Sequence, residues 1–533
     1  MSVDLSNAVK SDVSCAALPP VTSATASAAE QHFATDHLLA NLRQRTISSG
    51  LITAAAQVAQ FFLNLANVMV LARLLAPQEF GLVAMVMTVM GFLRIFQDAG
   101  LSTATVQRQE ITHAQVSNLF WVNVAMGGLT TVLMALSAPA IAWFFREPRL
   151  VGITLVLSIT FLLASSAVQH MALLNRQMRF GVIAAIDVVS MLSGYVIGVG
   201  MALLKYGYWA LVSASVTQVA IRLVLTWSIS QWRPRLPSRD THTWHMIRFG
   251  VDITTGALMY SLARGADNLL IGRFFGPAAV GLYSRGFILL RRPLEQFVVP
   301  ITTVFVPALS RMQGQNDRYR RTFLHVFEAI ALITFLFAGI CLALSYPLTL
   351  AALGPKWRAA ASIFAAFAVA APAYALLPAS TWLFASQGRG KDFVFTSSIV
   401  STLTLCSFLA GLPFGPVGVA IFYSAVCVLL ELPFVYYMTG RRGPVSRKDL
   451  WIACLRHLPI WGVTFGTAWL ARTFVLGANP WMQLFLCGPV ALLAGGAYIA
   501  VSAPSRRVAV NLFSVVRDLK GTRPASAVGN PRV

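Results

Sequence analysis

Residues 66–82 read Ala-Asn-Val-Met-Val-Leu-Ala-Arg-Leu-Leu-Ala-Pro-Gln-Glu-Phe-Gly-Leu. Two hundred residues later, 266–282 read Ala-Asp-Asn-Leu-Leu-Ile-Gly-Arg-Phe-Phe-Gly-Pro-Ala-Ala-Val-Gly-Leu. Arg73, Pro77, Gly81 and Leu82 return as Arg273, Pro277, Gly281 and Leu282, while Asn67 faces Asp267 and Ala76 faces Gly276. Each copy reads as the end of one apolar helix, a tight Arg-x-x-[AG]-Pro turn, and the start of the next helix. A duplicated hairpin of this kind predicts two halves facing each other across a pseudo-symmetry axis, the way many membrane bundles enclose a central path.

The background of the repeat is apolar. Hydrophobic residues make up 57% of the 533, charged residues only 11%, and the mean hydropathy is +0.68. Soluble domains carry about twice that charged share. Apolar runs of 18 or more residues recur without strand-like alternation, and each is long enough to cross a hydrocarbon layer of ~30 Å as a helix. The fold class expected is an all-α polytopic membrane protein of about fourteen spans. These lie near 49–72, 80–106, 116–144, 150–172, 181–204, 208–230, 250–274, 280–308, 322–345, 359–385, 392–413, 416–439, 449–471 and 479–503. A polar stretch at 231–249, with Arg233, Pro234, Arg235, Pro237 and Arg239, divides six spans from six. The expected organisation is therefore a tail at 1–45, an N-lobe at 46–230 and a linker at 231–249. A C-lobe at 250–439, two further spans within 440–504 and a loose basic tail at 505–533 follow.

The net charge of +22 would suggest nucleic acid in a soluble chain. Here most of the 41 Lys and Arg fall on one set of loops and on both tails, a bias that places both termini in the cytoplasm and the basic loops against anionic lipid headgroups. Nucleic acid is not an expected partner. The six cysteines have no metal-like spacing; five lie in apolar spans and read as small core residues. Residues 1–40 lack the apolar core of a signal peptide.

Charge deep in a span costs about 2.5–3.5 kcal/mol and normally faces a bundle interior or a wet cavity. Arg94, Arg264, Arg285, Arg291 and Arg292 are the deepest bases, and Asp98, Asp267 and Glu295 the deepest acids. All lie on the hairpins marked by the repeat. Arg94 and Asp98 are at i,i+4, Arg291 and Glu295 at i,i+4, and Arg264 and Asp267 at i,i+3, so each pair shares a helix face and can neutralise itself. Arg285 and Arg292 stand seven apart on one face with no acid at helical spacing, a pattern suited to gripping a phosphate or pyrophosphate. Asp187, Asp252, Glu328 and Glu431 lie one to two turns from the cytoplasmic ends of their spans; Asp252 reads as a helix-terminal acid paired with a loop Arg such as Arg248, with a proton or cation carrier as its second reading. His242 and His245 lack a third metal ligand. His170 reads as a satisfied polar contact. Gln57, Gln60, Asn64, Asn67 and Gln97 put uncharged polar groups on the first hairpin, and Tyr260, Tyr283, Phe287 and Trp382 are candidates for stacking on sugars. Gly127, Gly128, Gly194, Gly198 and Gly200 suit close helix packing.

Leu71 to Leu82 and Phe96-Gln97-Asp98-Ala99-Gly100-Leu101-Ser102-Thr103-Ala104 resemble the bacterial polysaccharide flippases of the multidrug/oligosaccharidyl-lipid/polysaccharide exporter superfamily, in the branch for O-antigen, colanic acid and exopolysaccharide repeat units. The resemblance covers about residues 40–505. It implies a V-shaped pair of six-helix lobes plus two C-terminal helices in the bacterial inner membrane, working by alternating access in lipopolysaccharide or exopolysaccharide biosynthesis. The substrate it implies is an undecaprenyl-pyrophosphate-linked oligosaccharide, taken into a cationic lumen to which Arg94, Arg264, Arg285 and Arg292 correspond by helix and depth. Asp98, Asp267, Arg291 and Glu295 would be the gating or pairing charges, a glycan polymerase and chain-length machinery the protein partners, and no cofactor or metal is implied. Related lipid II flippases carry an Arg-Asp pair in the first helix where this chain has only Gln and Asn, which leaves the coupling ion, Na⁺ or H⁺, open.

Two other functions compete. A cation-coupled small-molecule exporter of the same superfamily would want lumenal acids in excess, against the five deep Arg and three deep acids here. A membrane glycan polymerase or ligase would want a sizeable outer loop with catalytic Arg or His. The outer connections are short and hold no His, and no Asp-x-Asp motif occurs, so no enzyme is expected.

Overall fold

The computed structural model describes residues 42–98, 102, 105–106, 111–238 and 265–511, and every regular element among them is helical. The first half holds α1 (Leu42–Leu74), α2 (Pro77–Asp98), α3 (His113–Leu136), α4 (Ala138–Phe145), α5 (Leu150–Arg176), α6 (Phe180–Leu203) and α7 (Trp209–Ser230). The second holds α8 (Ala266–Ser310), α9 (Asn316–Ala343), α10 (Ser345–Leu353), a 3₁₀ turn at Pro355–Trp357, α11 (Ala360–Ser386), α12 (Gly390–Gly411) and α13 (Gly415–Val426). A π turn at Cys427–Glu431 leads into α14 (Leu432–Gly440). α15 (Arg447–Leu455), α16 (Leu458–Thr473) and α17 (Pro480–Val501) complete the chain.

Ten of the described helices are long and apolar enough to cross a membrane, against the fourteen spans expected from the sequence. Two of the ten run through a break, at Gly276 and at Gly411–Gly415, so each contains two legs of a hairpin. α16, with 16 residues, falls below the required length because the chain breaks at Arg456–His457. The expected seventh span begins in residues that lie outside those described, as do Arg248, Asp252, His242, His245, Tyr260 and Arg264.

The halves repeat one plan. In each, the third long helix passes through a one-residue step into a short helix opening with Pro near its start, at Ser137–Pro139 and Leu344–Pro347. The next long helix then ends in a left-handed residue, Met178 (φ 54°) or Gly388 (φ 69°). Arg179 or Arg389 follows with nearly the same backbone (φ −81°, ψ 51° and φ −86°, ψ 52°) and starts the fifth helix. α5 is the centre of the N-lobe, packed on α2, α3 and α7; α11 is the centre of the C-lobe, packed on α8, α9 and α13.

The lobes meet chiefly along α2 and α8. The two copies of the turn lie against each other there. A Cβ on Gly81 would overlap the carbonyl group of Pro277, and one on Gly281 the carbonyl oxygen of Pro77, with each glycine's Cβ position about 3 Å from the other's amide nitrogen (3.0 and 3.2 Å). Only glycine permits this approach. Elsewhere Gly127 packs on Ser165 and Gly194 and Gly198 on Ala214, which lets α3 meet α5 and α6 meet α7; Gly128 and Gly200 face open space.

One expectation, the loose tail from 505, is corrected. After a break at the extended Ser502 (φ −75°, ψ 109°) the chain is helical again over 503–511, with Ser505 and Val508 buried; Val508 enters an apolar cluster with Tyr436, Leu450 and Cys454, so 505–511 is docked rather than loose. The first part of the linker is likewise fixed. Asn118 donates to Ser238 O (2.7 Å) and accepts from Ser238 N–H (2.8 Å), Trp121 donates to Arg235 O (2.9 Å), and Trp232 is buried. Cys406 is exposed, whereas Cys341, Cys427, Cys454 and Cys487 are buried.

Candidate functional site

The helices that carry the deep charge line the seam between the lobes, and the seam is closed at the face bearing Pro77 and Pro277. Behind the paired glycines, Phe80 at the start of α2 stands edge-on to Trp357 (5.2 Å), and Trp357 donates to Ala72 O (2.8 Å). Arg73 donates to Ala351 O (2.8 Å), and Lys356 to Arg73 O and Leu74 O (3.3 and 3.4 Å). One end of α1, with its carbonyls left over from helix termination, is thus held by the C-lobe segment after α10.

Arg285 lies directly under this closure, its guanidinium 4.5 Å from the centre of the Phe80 ring, a desolvated cation–π contact. Its Nε is buried and has no hydrogen-bond partner. Arg292 is about 10 Å further along α8 by helical rise, and it is exposed. The two guanidinium groups feel each other's charge. Arg292 also acts on Tyr195 of α6, whose hydroxyl lies beside the Asn64 amide of α1. Arg94 of α2 is exposed. Two N-lobe helices and one C-lobe helix therefore bring Asn64, Tyr195 and Arg292 together, and Arg94 stands on α2, the N-lobe helix that packs along α8. Tyr195 escaped the sequence reading; it sits one residue after Gly194, whose packing on α7 fixes that face of α6.

The other charges are arranged differently. Arg291 pairs with Glu295 at 2.6 Å and covers Phe287 at 5.2 Å. Asp267 is buried, accepts from Asn268 N–H (2.7 Å) and lies beside the Tyr283 hydroxyl. Arg264 and the side chain of Asp98 lie outside the described residues, so neither the Arg264/Asp267 nor the Arg94/Asp98 pairing has a geometry here.

The aromatic candidates for sugar stacking are corrected. Tyr283 is buried on Phe367, Phe287 packs between Phe367 and Tyr374, and Trp382 is buried, donating to Thr302 (3.1 Å). All three belong to the C-lobe interior, because their faces of α8 and α11 turn toward each other. His170 is buried among Phe120, Trp227 and Trp232, stacked on Trp227 at 4.5 Å, with the backbone of Ser166 and Trp232 beside its ring. It is a caged aromatic. Of the acids near helix ends, Asp187 pairs with Arg222 (3.1 Å) and Glu328 with Arg456 (2.7 Å), while Glu431 takes a hydrogen bond from Thr404 (2.6 Å). Among the described residues no three His, Cys, Asp or Glu cluster as a metal site would require.

Helices of membrane-spanning length, two pseudo-symmetric lobes and a charge-bearing seam define a multi-pass membrane protein of the two-lobed transporter fold. The chain belongs to the polysaccharide biosynthesis protein family, whose model matches residues 70–362, more than half of its length. It is similar to the teichuronic acid biosynthesis protein TuaB of Bacillus subtilis (strain 168), 28% identical over 63% of this chain and 71% of that one. It is also similar to the succinoglycan biosynthesis transport protein ExoT of Rhizobium meliloti (strain 1021), 26% identical over 63% of this chain and 67% of that one. The lipopolysaccharide biosynthesis protein WzxC of Escherichia coli (strain K12) is 25% identical, matching 55% of this chain and 60% of its own length. Among solved structures, the lipid II flippase MurJ in an inward closed conformation aligns with a TM-score of 0.67 at 13% identity, covering 84% of this chain and 99% of that one; this is a likeness of fold.

Proposed function

We propose that this protein is a flippase that carries a polyprenyl-pyrophosphate-linked oligosaccharide repeat unit across the bacterial inner membrane by alternating access, with both termini in the cytoplasm. The observation that carries the reading is the seam itself. Its Pro77/Pro277 face is closed by backbone contact, while Arg94 and Arg292 stand exposed behind it. A cation exposed at the depth of a span needs an anion or water as its partner, and a guanidinium matches a phosphate oxygen pair. In this reading the Pro face is the outer one. Arg292 and Arg94 take the pyrophosphate head, with Tyr195 and Asn64 against the first sugars. Arg285 is held by Phe80 until the outer face opens and then follows the charge outward. The relatives named above in polysaccharide biosynthesis and transport support the substrate class.

The test is transport in vesicles containing the purified chain and an undecaprenyl-pyrophosphate-linked oligosaccharide, followed by access of an external glycosidase to the sugar. Arg292→Ala and Arg285→Ala should each reduce flipping at least tenfold with insertion unchanged, and Lys at either position should restore part of it. Flipping at the wild-type rate in both Ala variants would overturn the assignment of these residues. Absence of flipping by the wild-type chain would overturn the function.

A further inference from the structure

Of Asp187, Glu328 and Glu431, the first two pair with an arginine. Glu431 has none. It is 2% exposed, and no basic side chain among the described residues forms an ion pair with it. Its carboxyl accepts a hydrogen bond from the Thr404 hydroxyl of α12 at 2.6 Å, and the Cys427 thiol lies beside it on its own helix. Among the described residues, the titratable groups that face it from the surrounding elements are Tyr374 of α11, Tyr423 of α13 and Cys427, all neutral in their ordinary state. A buried carboxylate surrounded only by neutral groups carries an uncompensated charge, and the usual escape is to bind a proton.

The backbone singles out the same place. Pro433 has no N–H, so a regular helix cannot continue through it, and Leu432 N–H reaches back to Cys427 O to form a π turn ending on Glu431. Such turns occur as insertions at positions of function, and they provide a local joint in an otherwise stiff helix. The joint is connected to the lobe seam. Tyr374 and Tyr423 stack at 5.7 Å, Tyr374 shares a hydrogen bond with Ser424 (3.2 Å), and Tyr423 lies in the fields of Arg291 and Asp267 on α8. Two stacked tyrosines thus lie between Glu431 and the helix that closes the seam.

We propose that Glu431 is a proton-binding site of the C-lobe: one hydrogen ion sits on its carboxyl in the conformation described here, and leaves when the C-lobe rearranges about the π turn. The assignment goes beyond the transport reading and needs no glycan. Because the closed state holds the proton, acidification favours closure of the Pro77/Pro277 face. One proton changes the open-to-closed ratio by up to tenfold per pH unit between its two binding constants.

Two measurements on the full chain in lipid nanodiscs test it. Infrared titration should show the C=O stretch of a protonated buried carboxyl that Glu431→Gln removes and Thr404→Val displaces. Pulsed electron paramagnetic resonance between labels on non-canonical residues at 78 and 278 should show a pH-dependent separation in the wild type and a short, pH-independent one in Glu431→Gln. A band that persists in Glu431→Gln, or an unchanged pH dependence of the distance, would overturn the proposal. So would a separation that responds to Na⁺ at fixed pH with no protonated band. If Glu431→Gln does not fold, an unshifted wild-type spectrum in Thr404→Val overturns it alone. Failure of either measurement leaves vesicle flipping of the glycan intact, so the two readings stand or fall separately.

Discussion

Gly81 and Gly281 stand against each other across the seam, and a methyl group on either would strike the carbonyl of the opposite copy's proline, Pro277 or Pro77. Closure of the Pro face therefore depends on two missing side chains. Gly81→Ala or Gly281→Ala should disfavour the closed state by about 1–3 kcal/mol, the usual cost of overpacking, and the double variant by more. The label pair at 78 and 278 should report a longer separation in each; a wild-type distance in both single variants would contradict the contact.

Trp357 joins the lobes through one indole N–H and one ring edge. Trp357→Phe keeps most of the ring against Phe80 but leaves Ala72 O without its donor. A net hydrogen bond contributes about 1 kcal/mol, so the open population should rise roughly fivefold. The same distance measurement checks it, and Trp357→Ala should have a larger effect.

The Asn118 amide makes two of the hydrogen bonds that tie down the first part of the linker. Asn118→Ala removes both hydrogen bonds to Ser238. Trypsin cleavage after Arg235, where the following Leu236 is 83% exposed, should accelerate several-fold in the variant. Mass spectrometry of the first fragments formed identifies the site, and equal cleavage rates would mean that Trp121 and Trp232 hold the segment without it.

In the connection between α4 and α5, the hydrogen bonds from Arg149 to Glu147 (2.7 and 2.9 Å) hold the Glu147 carboxyl below the usual carboxylate range. A depressed value in the folded state gives stability that is present above the ordinary Glu pKa of about 4.3 and is lost as pH falls through the folded value. Arg149 is 42% exposed, so the contribution is at most about 1 kcal/mol. Glu147→Gln should therefore unfold slightly earlier than wild type at neutral pH, with the difference gone in strong acid, as read by thermal unfolding in detergent.

The helical class, the hairpins and the concentration of charge on them were legible because hydropathy and a repeat need no partner to be seen. What the repeat could not tell is that its copies touch, since a turn motif carries no information about its neighbour. The second repeated turn was also readable. Gln177-Met178-Arg179 and Gln387-Gly388-Arg389 share their outer residues, and only the Met/Gly difference at the left-handed position hid them. Tyr283, Phe287 and Trp382 looked like lumen because helical spacing marks a face without saying whether it meets a cavity or another helix. Glu431 looked like its neighbours Asp187 and Glu328. Its difference is that no basic side chain among the described residues forms an ion pair with it, and its hydrogen-bond partner Thr404 is 27 residues away.

A surface that meets its own copy is the contact of a symmetric dimer, in which residue i touches j and j touches i. Pro77 on Gly281 and Pro277 on Gly81 keep that form inside one polypeptide. In a dimer of identical subunits every charge on the path would occur twice. Joined in one chain, the copies have drifted apart at the same offset. Met85 stands opposite Arg285, Phe92 opposite Arg292, and Leu294 opposite Arg94. Within one polypeptide the scaffold keeps its twofold relation while the charges do not, so each deep arginine occurs once and at its own depth.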